Sequence, residues 1–187
     1  MAYVYYPVGN CSPTGALPTK NCAPCLTKEK SRIRAMALYK KSSPFTNIQN
    51  PSEWDTKINA KNAIVIYGVT GSFTSGDPEQ LTGFGEQEFE NGQATNEIVW
   101  RDPNVIQDND FYTALPRTNE WVMVFKTENY IWDTHNVASF KSKIIVTDNI
   151  KDVVAYEITG TYPDDDLPTP YTVPSGIFEP CFVSYYN

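Results

Sequence analysis

The sequence lacks a long apolar run, a surplus of basic residues and more than one histidine. No stretch approaches the roughly 20 apolar residues of a transmembrane helix, so we expect no membrane span. Lysines and arginines number 15 against 22 aspartates and glutamates, which gives a net charge of -7 and a pI near 4.7. A chain of this charge repels phosphate backbones, so we expect no sequence-specific binding of nucleic acid.

Targeting and catalytic motifs are also missing. The start MAYVYYP has neither the basic beginning nor the apolar core of a signal peptide, so we expect synthesis and use in a cytoplasm. Gly83 and Gly85 are followed by Glu86 where a dinucleotide-binding loop needs a third glycine and a helix. His135 is the single histidine and stands in the polar run WDTHN, which is typical of a turn between strands. We therefore expect a non-enzymatic protein without a nucleotide cofactor.

The residues that are present favour β-structure. The chain has 187 residues, enough for one domain with its own core. Aromatic residues make up 13% of it and favour strands. The 14 prolines and 10 glycines indicate short strands joined by long loops. We expect a single, mainly β domain with a minor α part, arranged as a β-sandwich or barrel with two short inserted helices.

Periodicity and capping motifs predict where the elements lie. The motif NPSEW at residues 50–54 has a capping asparagine, a proline in the first helical position and a glutamate placed for a capping box. It predicts a helix over 51–60. Phe111 and Leu115 are one turn apart and predict a second helix over 108–115. Strands are expected over residues 2–8, 31–40, 64–67, 98–100, 120–126, 130–133, 138–147 and 152–162.

Three segments without regular periodicity are interpreted as extended arms. Residues 9–26 are rich in cysteine and proline, 68–97 form a glycine-rich loop or arm, and 163–187 form a proline-rich C-terminal arm. Long excursions are uncommon in compact domains unless they are functional or disordered. We expect them to contact other subunits. The C-terminal arm either wraps its own sheet or lies on a neighbour.

The four cysteines allow one metal site. Cys22 and Cys25 have the spacing of a zinc knuckle, and Cys11 and Cys181 could complete four thiolates that join the two chain ends. The second close pair of a typical zinc site is missing, and a single CxxC is a weak signal. Reduced or loosely paired cysteines are the simpler interpretation, with zinc as the alternative.

Acidic residues form two groups. Glu86, Glu88 and Glu90 alternate, so on a strand all three would face one side. This row can pair with a neighbouring subunit, line a negative surface or be solvated. Residues 164–166 are three aspartates without the spacing of a calcium loop, and solvation is their simplest interpretation. A glycosidase pair among these carboxylates stays open, although nothing fixes two of them at the required separation.

Seven stretches together carry a family resemblance. They are SRIRAMALYKK at 31–41, PSEW at 51–54, GSF at 71–73, GFG at 83–85, RDPN at 101–104, FYTAL at 111–115 and GIFEPCF at 176–182. In this layout the chain resembles a virion structural protein of crAss-like gut bacteriophages. The resemblance spans most of the chain and concerns overall layout rather than one diagnostic motif.

The resemblance implies a tail-tube-like fold, made in the bacterial host cytoplasm and built in many copies into the virion. The expected place is a tail ring or tube, with a head accessory role as the alternative. The implied partners are copies of the protein itself and other virion proteins such as the portal, tail or hub. No catalytic residues come with it.

Assembly into a conduit gives roles to two sets of residues. Glu86, Glu88 and Glu90 would line a negatively charged lumen, and DNA passing through it would not stick to the wall. Aromatic side chains would anchor contacts between copies. The candidate anchors are Phe73, Phe84, Phe178, Phe182 and Tyr185.

The alternative function is a monomeric β-sandwich module that recognises carbohydrate or a cell surface. Its candidate contact residues are Trp100, Trp121 and Trp132 together with nearby tyrosines. Exposed tryptophans would favour this module, whereas tryptophans buried in the fold would favour assembly.

Overall fold

A computed structural model describes residues 29, 31–77, 80–82, 89–91, 93–149, 151–164 and 166–179. For residues 80–82 and 89–91 it describes the backbone alone. The predicted strand at 2–8 and the cysteine-rich arm at 9–26 lie outside the described residues.

Ten strands and three short helices form the described fold. The strands are β1 (Ile33–Lys40), β2 (Ala63–Thr74), β3 (Gln80–Thr82), β4 (Phe89–Asn91), β5 (Thr95–Asp102), β6 (Trp121–Lys126), β7 (Tyr130–Val137), β8 (Ser139–Ile145), β9 (Ala155–Pro163) and β10 (Thr169–Thr172). The helices are α1 (Pro51–Asn59), α2 (Asn109–Ala114) and a 3₁₀ turn (Leu115–Arg117). The prediction of a mainly β fold with a minor α part is confirmed.

Eight strands form one antiparallel sheet in the order β10-β7-β6-β1-β2-β5-β9-β8, and β3 pairs with β4 separately. Ala138 alone joins β7, next to one edge of the large sheet, to β8 at the other edge. The sheet must therefore curve strongly. The finer prediction of a sandwich or barrel is not established by this strand order, in which β10 and β8 are the edges.

The curved sheet has a core on each face. The inner face buries Trp100, Met123 and Ile158 together with Tyr112 from α2. On the outer face, α1 covers small residues of β1, such as Ala35 and Ala37, and packs Trp54 and Ile58 against them. Small residues on β1 let the helix approach the sheet closely.

Helix α1 begins as its sequence predicts, with one difference in the cap. The Asn50 side chain accepts a hydrogen bond from the Ser52 backbone N–H at 3.1 Å, as an N-cap residue does. Glu53 does not close a capping box. Its carboxylate accepts from the backbone N–H groups of Thr46 and Asn47 at 2.7 and 2.9 Å, so it holds the preceding loop instead.

The loop predicted over 68–97 begins too early and ends too late. β2 continues to Thr74, and β5 starts at Thr95. The glycine spacing was misleading because Gly71 is needed inside a strand. A Cβ at this position would lie 2.5 Å from the carbonyl oxygen of Val99 on β5, so only glycine allows this close approach.

The described part of the predicted C-terminal arm lies on the chain's own sheet. β10 extends the sheet by pairing with β7, with Thr169 opposite Asp133 and Thr172 opposite Tyr130. Ile177 and Phe178 are buried on the outer face beside α1. Of the two alternatives for this arm, residues 166–179 therefore follow the first and wrap their own sheet.

Candidate functional site

Most of the exposed large apolar side chains in the described part of the chain lie at one end of the large sheet. Among the described residues, seven large apolar side chains are exposed, and five of them share this end. The five are Ile106 (95% exposed), Ile144 (51%), Val146 (71%), Val153 (72%) and Val154 (41%). We call these five residues the apolar end.

Strand register explains how the five come together. Ile145 pairs with Ala155, so residues 146–149 and 151–154 belong to the tip of the β8–β9 hairpin. Tyr156 lies opposite both Ile144 on β8 and Asp102 on β5. The loop that follows Asp102 and carries Ile106 therefore leaves the sheet at the same end.

Polar contacts hold the hairpin tip in shape. Thr147 Oγ1 donates to Asp152 at 2.9 Å, and the Asn149 side-chain amide donates to the same carboxylate at 3.2 Å. These bonds close the turn across its base. The exposed valines lie on either side of this hydrogen-bonded turn.

Ion pairs fasten the edge strand β8 to the sheet. Lys143 Nζ on β8 and Arg101 on β5 both lie 2.7 Å from the carboxylate of Glu157 on β9. Hydrogen bonds from Lys143, and then from Arg101, hold the pKa of Glu157 below its ordinary value. Three adjacent strands are cross-linked in this way next to the apolar end.

A second apolar feature is a groove lined by aromatic rings. Phe73 stacks on Phe125 with ring centroids 5.5 Å apart, and Phe125 stacks on Trp132 at 6.0 Å with planes only 6° apart. Leu167 and neighbouring residues complete a cavity of about 390 Å³. We call this cavity the aromatic groove.

Hydrogen bonds fix one wall of the aromatic groove. The Glu29 carboxylate accepts from Thr127 Oγ1 at 2.6 Å and from the Asn129 N–H at 2.7 Å, which lowers its pKa to about 2. Thr127 Oγ1 in turn accepts from Trp132 Nε1 at 3.0 Å. The tryptophan ring is therefore held in place through a chain of polar contacts.

The aromatic groove and the apolar end lie at opposite ends of the sheet. The groove is formed where β1 begins, at Ile33, and where β2 and β6 finish. In the β2–β5 ladder, Thr74 lies opposite Glu97 and Thr70 opposite Arg101. The aromatic groove therefore lies near the N-terminal end of β5, whereas the apolar end lies near the C-terminal end of β5.

Several residues singled out from the sequence lie outside the described part of the chain. They are Cys11, Cys22, Cys25, Cys181, Phe84, Glu86, Glu88, Phe182 and Tyr185. Glu90 lies in β4, where its backbone pairs with Leu81. The zinc site and the glutamate row stay predictions. Within the described residues, no three histidine, cysteine or acidic side chains are grouped as a metal site would need.

Two predicted anchors are described, and they have different surroundings. Phe73 lines the aromatic groove and is half-buried, so part of its ring can meet another molecule. Phe178 is only 4% exposed, with its ring 5.3 Å from that of Trp54. Phe178 therefore belongs to the core of its own chain.

The tryptophans proposed as a carbohydrate platform are mostly inaccessible. Trp100 is fully buried, and Trp121 is 8% exposed. Trp132 is half-buried in the aromatic groove. His135 lies inside β7 rather than in a turn, because β7 runs on to Val137, beyond its predicted end at residue 133.

The apolar end was missed by sequence reasoning. The sequence predicts Ile144, Val146, Val153 and Val154 as ordinary strand residues, since alternation alone cannot tell a covered face from an uncovered one. The one available signal is that apolar residues continue on both sides of the mainly polar run TDNIKD at 147–152.

No protein family and no curated protein sequence matches the chain. In the part of the chain that the structure describes, no helix is both long and apolar enough to cross a membrane.

Proposed function

We propose that this protein is a virion structural component that assembles in many copies into a tail ring or tube. The observation that supports the proposal is the placement of two apolar surfaces at opposite ends of one sheet. The apolar end of one copy would enter the aromatic groove of the next. A contact between two different surfaces is heterologous, and repeated it generates a ring if the rotation closes or a tube if it does not.

The energetics suit assembly in many copies. Burying the side chain of a valine or isoleucine contributes about 1.5–3 kcal/mol, so five such side chains contribute at most about 7–15 kcal/mol. Joining two molecules costs an estimated 4–15 kcal/mol in lost freedom of motion. One contact between two copies is therefore weak. Closure of a ring, in which each copy makes two contacts, strengthens the assembly.

The virion setting rests on the resemblance to structural proteins of crAss-like bacteriophages. The net charge of -7 suits a conduit through which DNA passes without sticking. Glu86, Glu88 and Glu90 remain the proposed lumen row. No step of this function requires catalysis, and the other proposed partners are the portal, tail or hub proteins of the same particle.

The experiment that tests the proposal is the molar mass of the purified protein across concentrations, with electron micrographs of the same samples. We expect mass to rise with concentration and rings or short tubes to appear. Val146→Asp together with Val153→Asp should abolish this rise. A matched control, Ser52→Asp with Thr56→Asp, adds the same charge at exposed positions of α1 on the outer face and should assemble normally. A strict monomer at every concentration would refute self-assembly in the absence of other virion proteins.

A further inference from the structure

Part of the outer face of the large sheet is not packed against any described element. The outer core around α1 lies on β1, β6, β7 and the first part of β2, and among the described residues it includes none from β5, β8 or β9. On β5, Trp100 belongs to the inner core, so its neighbours Val99 and Arg101 lie on the outer side. The same alternation places Glu157 and Thr159 of β9 there. We call the outer side of β5, β9, β8 and the second half of β2 the open face.

Strand register arranges the side chains of the open face in rows. Val99 on β5 lies opposite both Ser72 on β2 and Thr159 on β9. Thr159 in turn lies opposite Lys141 on β8. Arg32 directly precedes β1 and stands next to Ser72, because the first residue of β1 pairs with the residue before Ser72. This row therefore runs from one cation to another across five strands, about 19 Å at the usual strand spacing.

The open face and its border carry more cations than carboxylates, although the whole chain has a net charge of -7. The carboxylate of Glu157 is shared by two cations, and Arg34 forms an ion pair with Glu128. Arg32 and Lys141, at the two ends of the row, are exposed and have no acidic partner among the described residues. Both are therefore available to a carboxylate from another molecule.

A depression at the Arg32 end of the row has room for such a carboxylate. Arg32 and Arg34 line a cavity of about 300 Å³ together with Gly68, Val69 and Thr70. The cavity lies where the register between β1 and β2 shifts, so that residues 68–70 have no opposite residue on β1. A guanidinium group is planar and matches the two oxygens of a carboxylate. Two such groups at one cavity favour an acidic side chain as its occupant.

We propose that the open face is a docking surface for an acidic face of a different protein, an interaction separate from the contact between copies. Carboxylates of the partner bond to Arg32 and Lys141, and the hydroxyls of Ser72 and Thr159 lie between them. Charge complementarity of this kind selects the partner and fixes its register.

The same face does not fit nucleic acid. Its described residues include no aromatic ring, so unpaired bases find no stacking platform. Glu97 and Glu157 stand among its cations, so a continuous phosphate backbone meets carboxylates. A protein surface, which carries charges of both signs, can place its own cations opposite these two glutamates.

The test measures binding of a fluorescently labelled oligoglutamate to the full chain by fluorescence anisotropy. A peptide of about eight residues spans the row, since an extended chain rises about 3.3 Å per residue. We expect binding that weakens at least about 10-fold between about 50 mM and about 500 mM salt, because salt screens exposed charges. Arg32→Glu with Lys141→Glu should weaken it at least about 10-fold at low salt, because like charges then face each other.

The control is Lys61→Glu with Arg117→Glu, which makes the same change of charge at exposed positions away from the open face. It should bind the peptide like the unaltered protein. Equal binding by the Arg32→Glu, Lys141→Glu variant and this control would overturn the proposal, and so would no binding at low salt, the result expected of a face that is only solvated.

Two further measurements distinguish the partner from other molecules. A duplex DNA probe should bind at least about 10-fold more weakly than the peptide, because the net charge of the chain repels a long polyanion. DNA binding as tight as peptide binding would overturn the choice of a protein partner. Sedimentation velocity should find that Arg32→Glu with Lys141→Glu self-associates like the unaltered protein. A loss of self-association would place a second copy on the open face and contradict the proposal.

Discussion

Ile144 and Tyr156 lie directly opposite each other on β8 and β9, yet Tyr156 is 4% exposed and Ile144 is 51% exposed. The buried partner packs against Tyr112 of α2, with ring centroids 5.1 Å apart. Ile144 is one residue before the end of β8, where α2 no longer covers the sheet. The apolar end begins at this pair because the hairpin extends past the core that would bury it.

The first prediction concerns the apolar end. Val146→Asp with Val153→Asp should weaken self-association at least about 30-fold, because about 2 kcal/mol of apolar burial is lost. The free energy of unfolding should change by less than about 0.5 kcal/mol, since both side chains are exposed in the monomer. Sedimentation equilibrium and urea unfolding measure the two quantities. A variant that unfolds more easily but associates normally would assign these valines to the fold instead.

The second prediction separates Phe178 from the interface. Phe178→Ala should lower the free energy of unfolding by about 3–5 kcal/mol, because the ring is buried against Trp54. Under conditions where the variant is folded, its association should match that of the unaltered protein. Urea unfolding measures the loss. A loss below about 1 kcal/mol would show that the ring does not belong to the core.

The third prediction is a pH dependence at Glu157. Its pKa is lowered in the folded protein from an ordinary value of 4.5, so its stabilising contribution is complete above that value and is lost as pH falls through the folded pKa. At about pH 7, Glu157→Gln should lower the free energy of unfolding by about 0.2–1 kcal/mol for each ion pair that it removes, since Lys143 and Arg101 are largely exposed.

The measurement for Glu157 is the midpoint of thermal unfolding across a pH series. The difference in unfolding midpoint between the unaltered protein and Glu157→Gln should shrink as the pH falls below the ordinary pKa of a glutamate. Glu97→Gln, an exposed change on the adjacent strand β5, serves as the control. A difference that stays constant or grows in acid would contradict the assigned ion pairs.

The fourth prediction tests the packing of the inner face. A Cβ at Gly160 would lie 2.4 Å from the sulfur of Met123, which is fully buried. Gly160→Ala should therefore lower the free energy of unfolding by about 1–3 kcal/mol, because the added methyl group overpacks the core. Combined with Met123→Ala, it should cost less than the sum of the two single changes, because the shortened side chain makes room. Strict additivity in urea unfolding would show that the two residues are not in contact.

The sequence was most informative where local chemistry decides the structure. Asn50 and Pro51 marked the start of α1 because a cap and a fixed φ act within one turn. Alternation through Tyr156 and Ile158 identified β9, since one face of it is buried. The sequence was least informative about glycines. Gly71 was interpreted as part of a loop, and only the neighbouring strand shows why the position excludes a side chain.

The candidate surfaces could not be predicted because they depend on contacts far apart in sequence. Phe73, Phe125 and Trp132 form one groove only after β2, β6 and β7 are placed in the sheet. His135 was interpreted as a turn residue because a polar run resembles a loop. It lies within β7 because β6 pairs with that strand on both sides of it, with Val122 opposite Val137 and Val124 opposite Asp133.

The most direct test of heterologous assembly is a mixing experiment with two variants that each lack one surface. Val146→Asp with Val153→Asp removes the apolar end, and Leu167→Asp places a charge on the exposed rim of the aromatic groove. Sedimentation velocity should find each variant monomeric alone. An equal mixture should form dimers and nothing larger, because one intact end still meets one intact groove. A mixture that stays monomeric while the unaltered protein assembles would contradict contact between these two surfaces.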